Sequence, residues 1–233
     1  AVREQLKAGA DVIKIMATGG VLTPGVEPGA AQLEEEEIRA GVVEAHKASR
    51  MTATHAQGTA GVKAALRAGI DTVEHGIFLD DECIELMKAR DVVFVPTLAA
   101  PYRINQAGLA RGIPKYVLDK SERVYEAHQK SFQMALRAGV LIAGGNDGGT
   151  PFNPQEDLVT ELSLMVGLGM SPLDAIRAGT WGSARALKLD QAIGTVEIGK
   201  DADLVILDGD PLQDMSALGK VWRVIQHGKV VHG

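Results

Sequence analysis

A short phrase recurs three times along the chain, and it restricts the fold more than any other feature. A leucine, a basic residue, an alanine and a glycine stand in a row at 6–9, 66–69 and 136–139, and a run rich in aliphatic residues follows each copy. A basic residue in the last helical turn, followed by a glycine cap, is typical of a helix that ends and leads into a strand. The repeat therefore predicts helices that alternate with strands.

Two looser copies of the phrase extend the pattern to five helix-to-strand units. The predicted strands are Val12–Ala17, Met51–Thr54, Thr72–Glu74, Val92–Thr97 and Leu141–Ala143. The predicted helices are Glu34–Ser49, Ala60–Ala68, Asp80–Ala89, Pro114–Ala138, Gln155–Val166, Ser171–Ala178 and Ser183–Leu187. Strands that alternate with helices imply a parallel sheet with right-handed crossovers. The fold class is therefore α/β.

The pattern changes near residue 191. Four short apolar runs, separated by glycine-containing turns, replace the helices. They are Thr195–Ile198, Asp203–Leu207, Arg223–Gln226 and Lys229–Val231. We therefore expect two domains, an α/β domain at residues 1–190 and a small β element at residues 191–233.

Charge and apolar run length exclude two classes of partner. The net charge is −6 and no basic stripe is present, which argues against nucleic acid. No apolar run approaches the length of a membrane span. The single cysteine, Cys83, has no partner for an internal disulfide, and we expect it to be a buried thiol on a helix. The chain begins without methionine inside a helical pattern, so we expect any targeting signal to lie upstream.

Polar side chains mark the carboxyl ends of four of the five strands. Lys14 lies on the first strand, His55 and His75 follow the second and third, and Asp147 follows the fifth in the segment VLIAGGNDGGTP. In a barrel or a doubly wound sheet these ends share one face. Two imidazoles and a carboxylate there predict a site for zinc or a similar divalent ion. For Asp147 taken alone, an Asx-turn is the favoured explanation, and it is the three partners at the other strand ends that favour a site.

Lys14 is costly inside an apolar strand unless a partner neutralises it. Three explanations stay open on chemistry alone. The amine can react with CO2 and bridge two metals as a carbamate, it can form an ion pair with Asp147 or Glu74, or it can form a Schiff base with a carbonyl substrate.

Five motifs carry a family resemblance. They are VIKIMATGG at 12–20, THAQG at 54–58, VEHG at 73–76, GGNDGGTP at 144–151 and IGTVEIGKDADLVILDGDP at 193–211. In this order they resemble the amidohydrolase superfamily of metal-dependent hydrolases, and more narrowly its imidazolonepropionase-like and Xaa-Pro dipeptidase-like branch. The resemblance implies a (β/α)8 TIM-type barrel with a binuclear zinc centre and a small β-sandwich.

The resemblance assigns a role to each strand-end residue. Lys14 would be the carbamate that bridges the metals, His55 and His75 would hold the second metal, and Asp147 would bind the first metal and move the proton. Family members carry a His-x-His pair on the first barrel strand, which this chain lacks. We therefore expect a partial barrel made of strands four to eight, with impaired activity.

The resemblance implies hydrolysis of an amide or peptide bond in a small substrate, a dipeptide or an N-acyl amino acid, by a hydroxide that bridges the metals. Gln57, Tyr102 and Arg103 are candidate substrate-binding residues. Gly58 argues against a deaminase, which would carry a glutamate there, and Lys14 argues against imidazolonepropionase itself. Hydrolysis of lactones, cyclic amides or organophosphates stays open, as do a Schiff-base aldolase and a non-catalytic half-barrel that forms a homo-oligomer through its open edges.

Overall fold

A computed structural model describes residues 1–233. Its larger sheet contains four parallel strands in sequential order: β1 (Val12–Met16), β2 (Met51–Ala56), β3 (Thr72–His75) and β4 (Val93–Val95). The fifth predicted strand forms only a bridge, because Ile142 pairs with Phe94 in parallel but no further pairs follow. Two backbone hydrogen bonds of 2.9 Å connect this segment to β4, from Phe94 to Leu141 and from Ala143 to Phe94.

Nine α-helices accompany the strands. They are α1 (Val2–Lys7), α2 (Glu35–Lys47), α3 (Thr59–Ala68), α4 (Asp81–Ala89), α5 (Ala99–Ala107), α6 (Lys115–Ala138), α7 (Leu158–Gly167), α8 (Pro172–Arg177) and α9 (Ser183–Ala186). The acidic start predicted for α2 is a capping box in which the Glu34 amide donates to the Glu37 carboxylate at 2.8 Å. Helix α7 begins three residues later than predicted, because the Asp157 side chain caps it by accepting from the Thr160 amide.

Helix α5 was not predicted from the sequence. Pro101 suggests a loop, yet it occupies the third position of the helix, where the backbone amide has no partner inside the helix. The helix matters for the site because it starts directly after the end of β4.

The two faces of the parallel sheet differ in chemistry. Val73 and Phe94 lie opposite each other in register and belong to the main hydrophobic core, together with buried residues of α2 and α3. His55 lies opposite Glu74 in register. Its partner on β1 is Met16, and Lys14 lies two residues before Met16, so Lys14, His55 and Glu74 share the other face. The helices therefore cover one face, and the polar residues project from the other. Cys83 is fully buried in the core on α4, as predicted.

The C-terminal part is a small antiparallel sheet, with β5 (Leu204–Leu207), β6 (Val221–Gln226) and β7 (Lys229–His232) in that order. The strand predicted at Thr195–Ile198 is wrong, because the segment pairs with no other strand and Val196 and Ile198 are fully exposed. The domain boundary between residues 190 and 191 stays a prediction. No helix of this chain is long and apolar enough to cross a bilayer.

Candidate active site

A cavity of about 420 Å3 lies at the carboxyl ends of the parallel strands. It is lined by all four strand-end residues predicted from the sequence: Lys14, His55, His75 and Asp147. Its other walls are largely apolar and come from the loop after β1, the segment after β3 and helix α5. The main contributors are Val21, Leu22, Ile77, Ala100, Pro101 and Ile104. The structure therefore brings together residues that are up to 133 positions apart in the sequence.

His75 reaches the cavity through an unusual backbone conformation. Strand alternation alone would direct His75 away from the face that carries Glu74. Instead, His75 ends β3 with a φ of +72°, a left-handed conformation that is uncommon outside glycine. Its ring centroid lies 4.4 Å from that of His55, and the rings meet edge to face. The two imidazoles thus form a pair on neighbouring strands.

Both histidines are held in the neutral form. Burial, and secondly the charge of Lys14, lower the pKa of His55 to about 4. Burial lowers the pKa of His75 well below its usual range, with smaller contributions from His55, Lys14 and His128. Each imidazole therefore has an unprotonated nitrogen at neutral pH. The Nε2 atom of His55 is buried and has no hydrogen-bond partner in the protein.

The tautomer of His75 follows from its neighbour Thr97. The Thr97 hydroxyl donates to the Pro96 carbonyl at 2.6 Å, so the lone pairs of Oγ1 face His75. Nδ1 of His75 lies 2.7 Å from this oxygen and is assigned as the donor. The proton on Nδ1 leaves Nε2 as the nitrogen with a free lone pair.

The Asp147 side chain does not form an Asx-turn, so a structural role in the turn does not account for this residue. The Asn146 side chain makes that turn, accepting from the Gly148 amide at 3.1 Å. The Asp147 carboxylate accepts no hydrogen bond from the protein; burial raises its pKa, and Lys14 partly opposes this. Gly148 serves packing rather than ligand access, since a Cβ there would lie 2.5 Å from the Cα of Gln155.

Lys14 forms an ion pair with Glu74, one of the three arrangements left open by the sequence. Its side chain is 42% exposed, so the ammonium is less costly than its apolar strand suggests.

The donor atoms do not form a site for one metal ion with three ligands. The donor atoms of His55, His75 and Asp147 do not all lie within 4.8 Å of one another. The three side chains that do meet this distance are Asp201, Asp203 and His227, which are exposed near the small sheet. The three side chains are therefore not gathered around one point in this structure, and the His/His/Asp centre stays a prediction. The neutral histidine pair, with the buried and unpartnered Nε2 of His55, does fit one divalent ion, and Asp147 is free to bind a second.

The three predicted substrate-binding residues differ in position. Gln57 lines the cavity, and its buried Oε1 has no partner in the protein. Tyr102 and Arg103 lie on α5 outside the cavity lining. Arg103 is bound by Asp157 and donates to the Thr160 hydroxyl at 2.7 Å, and the Tyr102 hydroxyl accepts from Gln106 at 2.8 Å. The substrate contacts of all three stay predictions.

Two buried residues near the site were not found from the sequence. His128 on α6 lines the cavity and lies 2.7 Å through Nε2 from the Pro96 carbonyl. Glu161 on α7 is fully buried, and burial raises its pKa to about 8. A signal for His128 existed: it continues the buried stripe of Val124, Ser131 and Ala135 at helical spacing.

The sequence was compared with family models and known proteins. A model described as Amidohydrolase family matches residues 1–231. The chain belongs to the amidohydrolase family. The resemblance inferred from the five motifs is thus confirmed. The chain is homologous to amidohydrolase enzymes that act on C–N bonds, in a family that usually uses divalent metals.

Two relatives illustrate the similarity. Ochratoxinase from Aspergillus niger is 35% identical over 240 residues, which cover 100% of this chain and 48% of the relative. The crystal structure of a Xaa-Pro dipeptidase with methionine bound in its active site matches with a TM-score of 0.94 and 35% identity, covering 100% of this chain and 57% of that one. The crystal structure of the ochratoxinase matches with a TM-score of 0.87 and 34% identity, covering 100% and 53%. The chain therefore spans about half the length of the curated relatives it matches.

Proposed function

We propose that the protein to which this chain belongs hydrolyses an amide or peptide bond in a small substrate, either a dipeptide or an N-acyl amino acid. The observation that carries the proposal is the neutral pair His55 and His75, which shares one cavity with an Asp147 carboxylate free of hydrogen bonds. The relatives named Xaa-Pro dipeptidase and ochratoxinase support it.

The fold proposal goes with the functional one. The four parallel strands and the bridged segment Leu141–Ala143 would be strands four to eight of a (β/α)8 barrel, and β5 to β7 would be part of a β-sandwich. The sequential strand order and the TM-score of 0.94 against a longer relative support this assignment. The activity of the present chain by itself is expected to be impaired, because half of such a barrel cannot close.

The metal proposal assigns residues to two divalent ions, which we expect to be zinc. His55 and His75 would hold one ion, Asp147 would bind the other, and Lys14 would bridge them as a carbamate. The Lys14 ammonium would first lose one proton, which ends its ion pair with Glu74. The neutral amine would then form a bond to the carbon of CO2 and release a second proton. A bound divalent metal supplies Lewis-acid activation of water and of the scissile carbonyl.

The remaining chemistry falls to side chains of this chain. The Asp147 carboxylate would accept the proton of the attacking water and deliver it to the leaving nitrogen. The Oε1 atom of Gln57 is a buried acceptor available to a substrate N–H. The apolar wall formed by Val21, Leu22 and Ile104 would exclude water from the substrate side chain.

Asp147→Asn tests the proposal. We expect turnover of a dipeptide and N-acyl amino acid library, assayed on the zinc-loaded whole protein to which this chain belongs, to fall about 10²- to 10⁴-fold, because the amide cannot accept the proton. Thermal unfolding should be unchanged, since the carboxylate makes no hydrogen bond. Asp119→Asn, an exposed change on α6, is the matched control and should retain activity. Equal turnover by the Asp147 variant and the wild type would exclude this proton role.

A further inference from the structure

Glu161 is a buried carboxylate that the proposed reaction does not use. Its side chain on α7 is fully buried, and its two oxygens accept the backbone amides of Leu98 at 2.9 Å and Ala99 at 2.6 Å. These amides begin helix α5, whose own cap residue makes no side-chain hydrogen bond. A carboxyl group from a helix distant in the sequence thus takes the place of a local cap for these amides.

The capped amides directly follow Thr97, a strained residue. Thr97 has a φ of +55°, which is rare for a β-branched side chain and persists only when surrounding contacts enforce it. On its other side, the Thr97 hydroxyl donates to Pro96 and lies 2.7 Å from Nδ1 of His75. The backbone that Glu161 holds is therefore the backbone that sets the position of this hydroxyl.

We infer that Glu161 is a positioning residue for His75. By fixing the start of α5, Glu161 keeps Thr97 in the left-handed conformation. The Thr97 hydroxyl then accepts from Nδ1 of His75, and Nε2 of His75 keeps its lone pair. Partners of this kind fix the ring orientation and tautomer of metal-binding histidines. The inference rests on the proposed function only in treating His75 as a metal ligand. The tautomer itself is a property of the metal-free protein.

Glu161→Gln tests the inference without any assay of turnover. The glutamine keeps the size of the side chain but replaces one acceptor with an N–H2 group, which faces a backbone amide donor. Nitrogen-15 NMR of the imidazoles in the metal-free full chain at pH 7.5 reports the tautomer of His75 directly. We expect Nδ1–H in the wild type and a mixture of both tautomers in the variant, together with zinc affinity at least tenfold weaker.

Two further variants complete the path. Thr97→Val removes the hydroxyl and should shift the tautomer as Glu161→Gln does, and the double variant should show no additional shift, because both act on one contact. Met165→Ala, which opens the core one turn further along α7, is the control for destabilisation alone and should leave the tautomer unchanged. If Glu161→Gln fails to fold, Glu161→Asp retains the carboxyl group, draws it back by one methylene and should give an intermediate tautomer shift.

The outcomes separate this inference from the proposed function. An unchanged His75 tautomer in the folded Glu161 variants, or an equal shift in Met165→Ala, would overturn the inference whatever the activity. A tautomer that depends on Glu161, with no zinc bound by the whole protein to which this chain belongs, would support the inference and refute the proposed function.

Discussion

Gly20 lies against the edge of the His55 imidazole, and this contact gives the sharpest test of the metal site. A Cβ at Gly20 would lie 3.0 Å from Cε1 and 3.1 Å from Nε2 of His55, whereas ordinary contacts begin near 3.4 Å. The φ of Gly20 is outside the left-handed range, so alanine can adopt its backbone conformation. Gly20→Ala therefore changes one thing, the space available to the ring, and the ring must retreat by a few tenths of an ångström.

The size of this displacement sets the expected effect. Metal–ligand distances are tolerated within about 0.2 Å, so a shift of a few tenths takes Nε2 out of position. Comparable disturbances around metal ligands cost about 10- to 100-fold in affinity, or about 1.4–2.8 kcal/mol. The free energy of unfolding of the metal-free protein should fall by only about 1 kcal/mol, because His55 borders a cavity into which it can move.

Competition against a chelating dye at pH 7.5 measures the zinc affinity, and urea unfolding measures the stability. Gly167→Ala is the matched control: it is the same substitution in an exposed helical turn, with open space around the new methyl group and an ordinary φ. It should leave the zinc affinity unchanged. Zinc binding by Gly20→Ala as tight as that of the wild type would refute the assignment of His55, and equal weakening by both alanines would show that the effect is not local.

Three further predictions concern the surroundings of the site. Lys120 donates to the carbonyls of Thr23 at 2.7 Å and Val26 at 2.5 Å and so connects the cavity wall to α6. Lys120→Met should lower the free energy of unfolding by about 1–2 kcal/mol and speed proteolysis within residues 19–29, whereas the exposed control Lys115→Met should do neither. Burial lowers the pKa of His128 to about 4, so between pH 6.5 and 4 the unfolded state binds more protons than the folded state. The free energy of unfolding should therefore decrease by up to about 3 kcal/mol as the pH is lowered through this range, and His128→Gln should reduce this decrease in urea titrations. The unpaired edge of β1 predicts self-association, and a monomer in size-exclusion chromatography with light scattering at all concentrations would contradict it.

The helix ends and strand ends could be read from the sequence because they depend on local chemistry. The repeated glycines predicted left-handed caps, and Gly69 and Gly139 adopt them with φ of +96° and +71°. The strand ends then placed Lys14 and His55 together, since the carboxyl ends of parallel strands share one face. The same local signals failed at Thr195–Ile198, where strand formation depends on a pairing partner that the segment does not have.

The remaining features depend on contacts between distant segments. Arg103 was assigned to a substrate carboxylate, but its guanidinium is bound by Asp157, which lies 54 residues further along the chain. No periodicity or composition signal connects those two positions. The ion pair between Lys14 and Glu74 was among the predicted alternatives, yet the choice between them required the register of β1, β2 and β3.

Backbone strain is the feature of the site least accessible from sequence. His75, Thr97 and Asp147 all have φ between +54° and +72°, and all three line the same cavity. Each such residue costs about 1–3 kcal/mol and persists only where its neighbours enforce the conformation. At Thr97 the neighbour is the buried Glu161, and at Asp147 it is the buried Asn153, whose amide donates to the Asn146 carbonyl at 2.5 Å and to the Asp147 carbonyl at 3.2 Å.

The strained backbone conformations at the site therefore depend on the buried polar side chains that bind them. A relaxed strand end would turn His75 back toward the helix-covered face, since alternation places it opposite Glu74. The left-handed turns redirect the side chains into the cavity, and polar groups without contact to a substrate hold these turns in place. In the sequence, Glu161 and Asn153 look like ordinary surface residues. In the structure they are only 0% and 2% exposed, and their hydrogen bonds to backbone amides and carbonyls stabilise the strained loops.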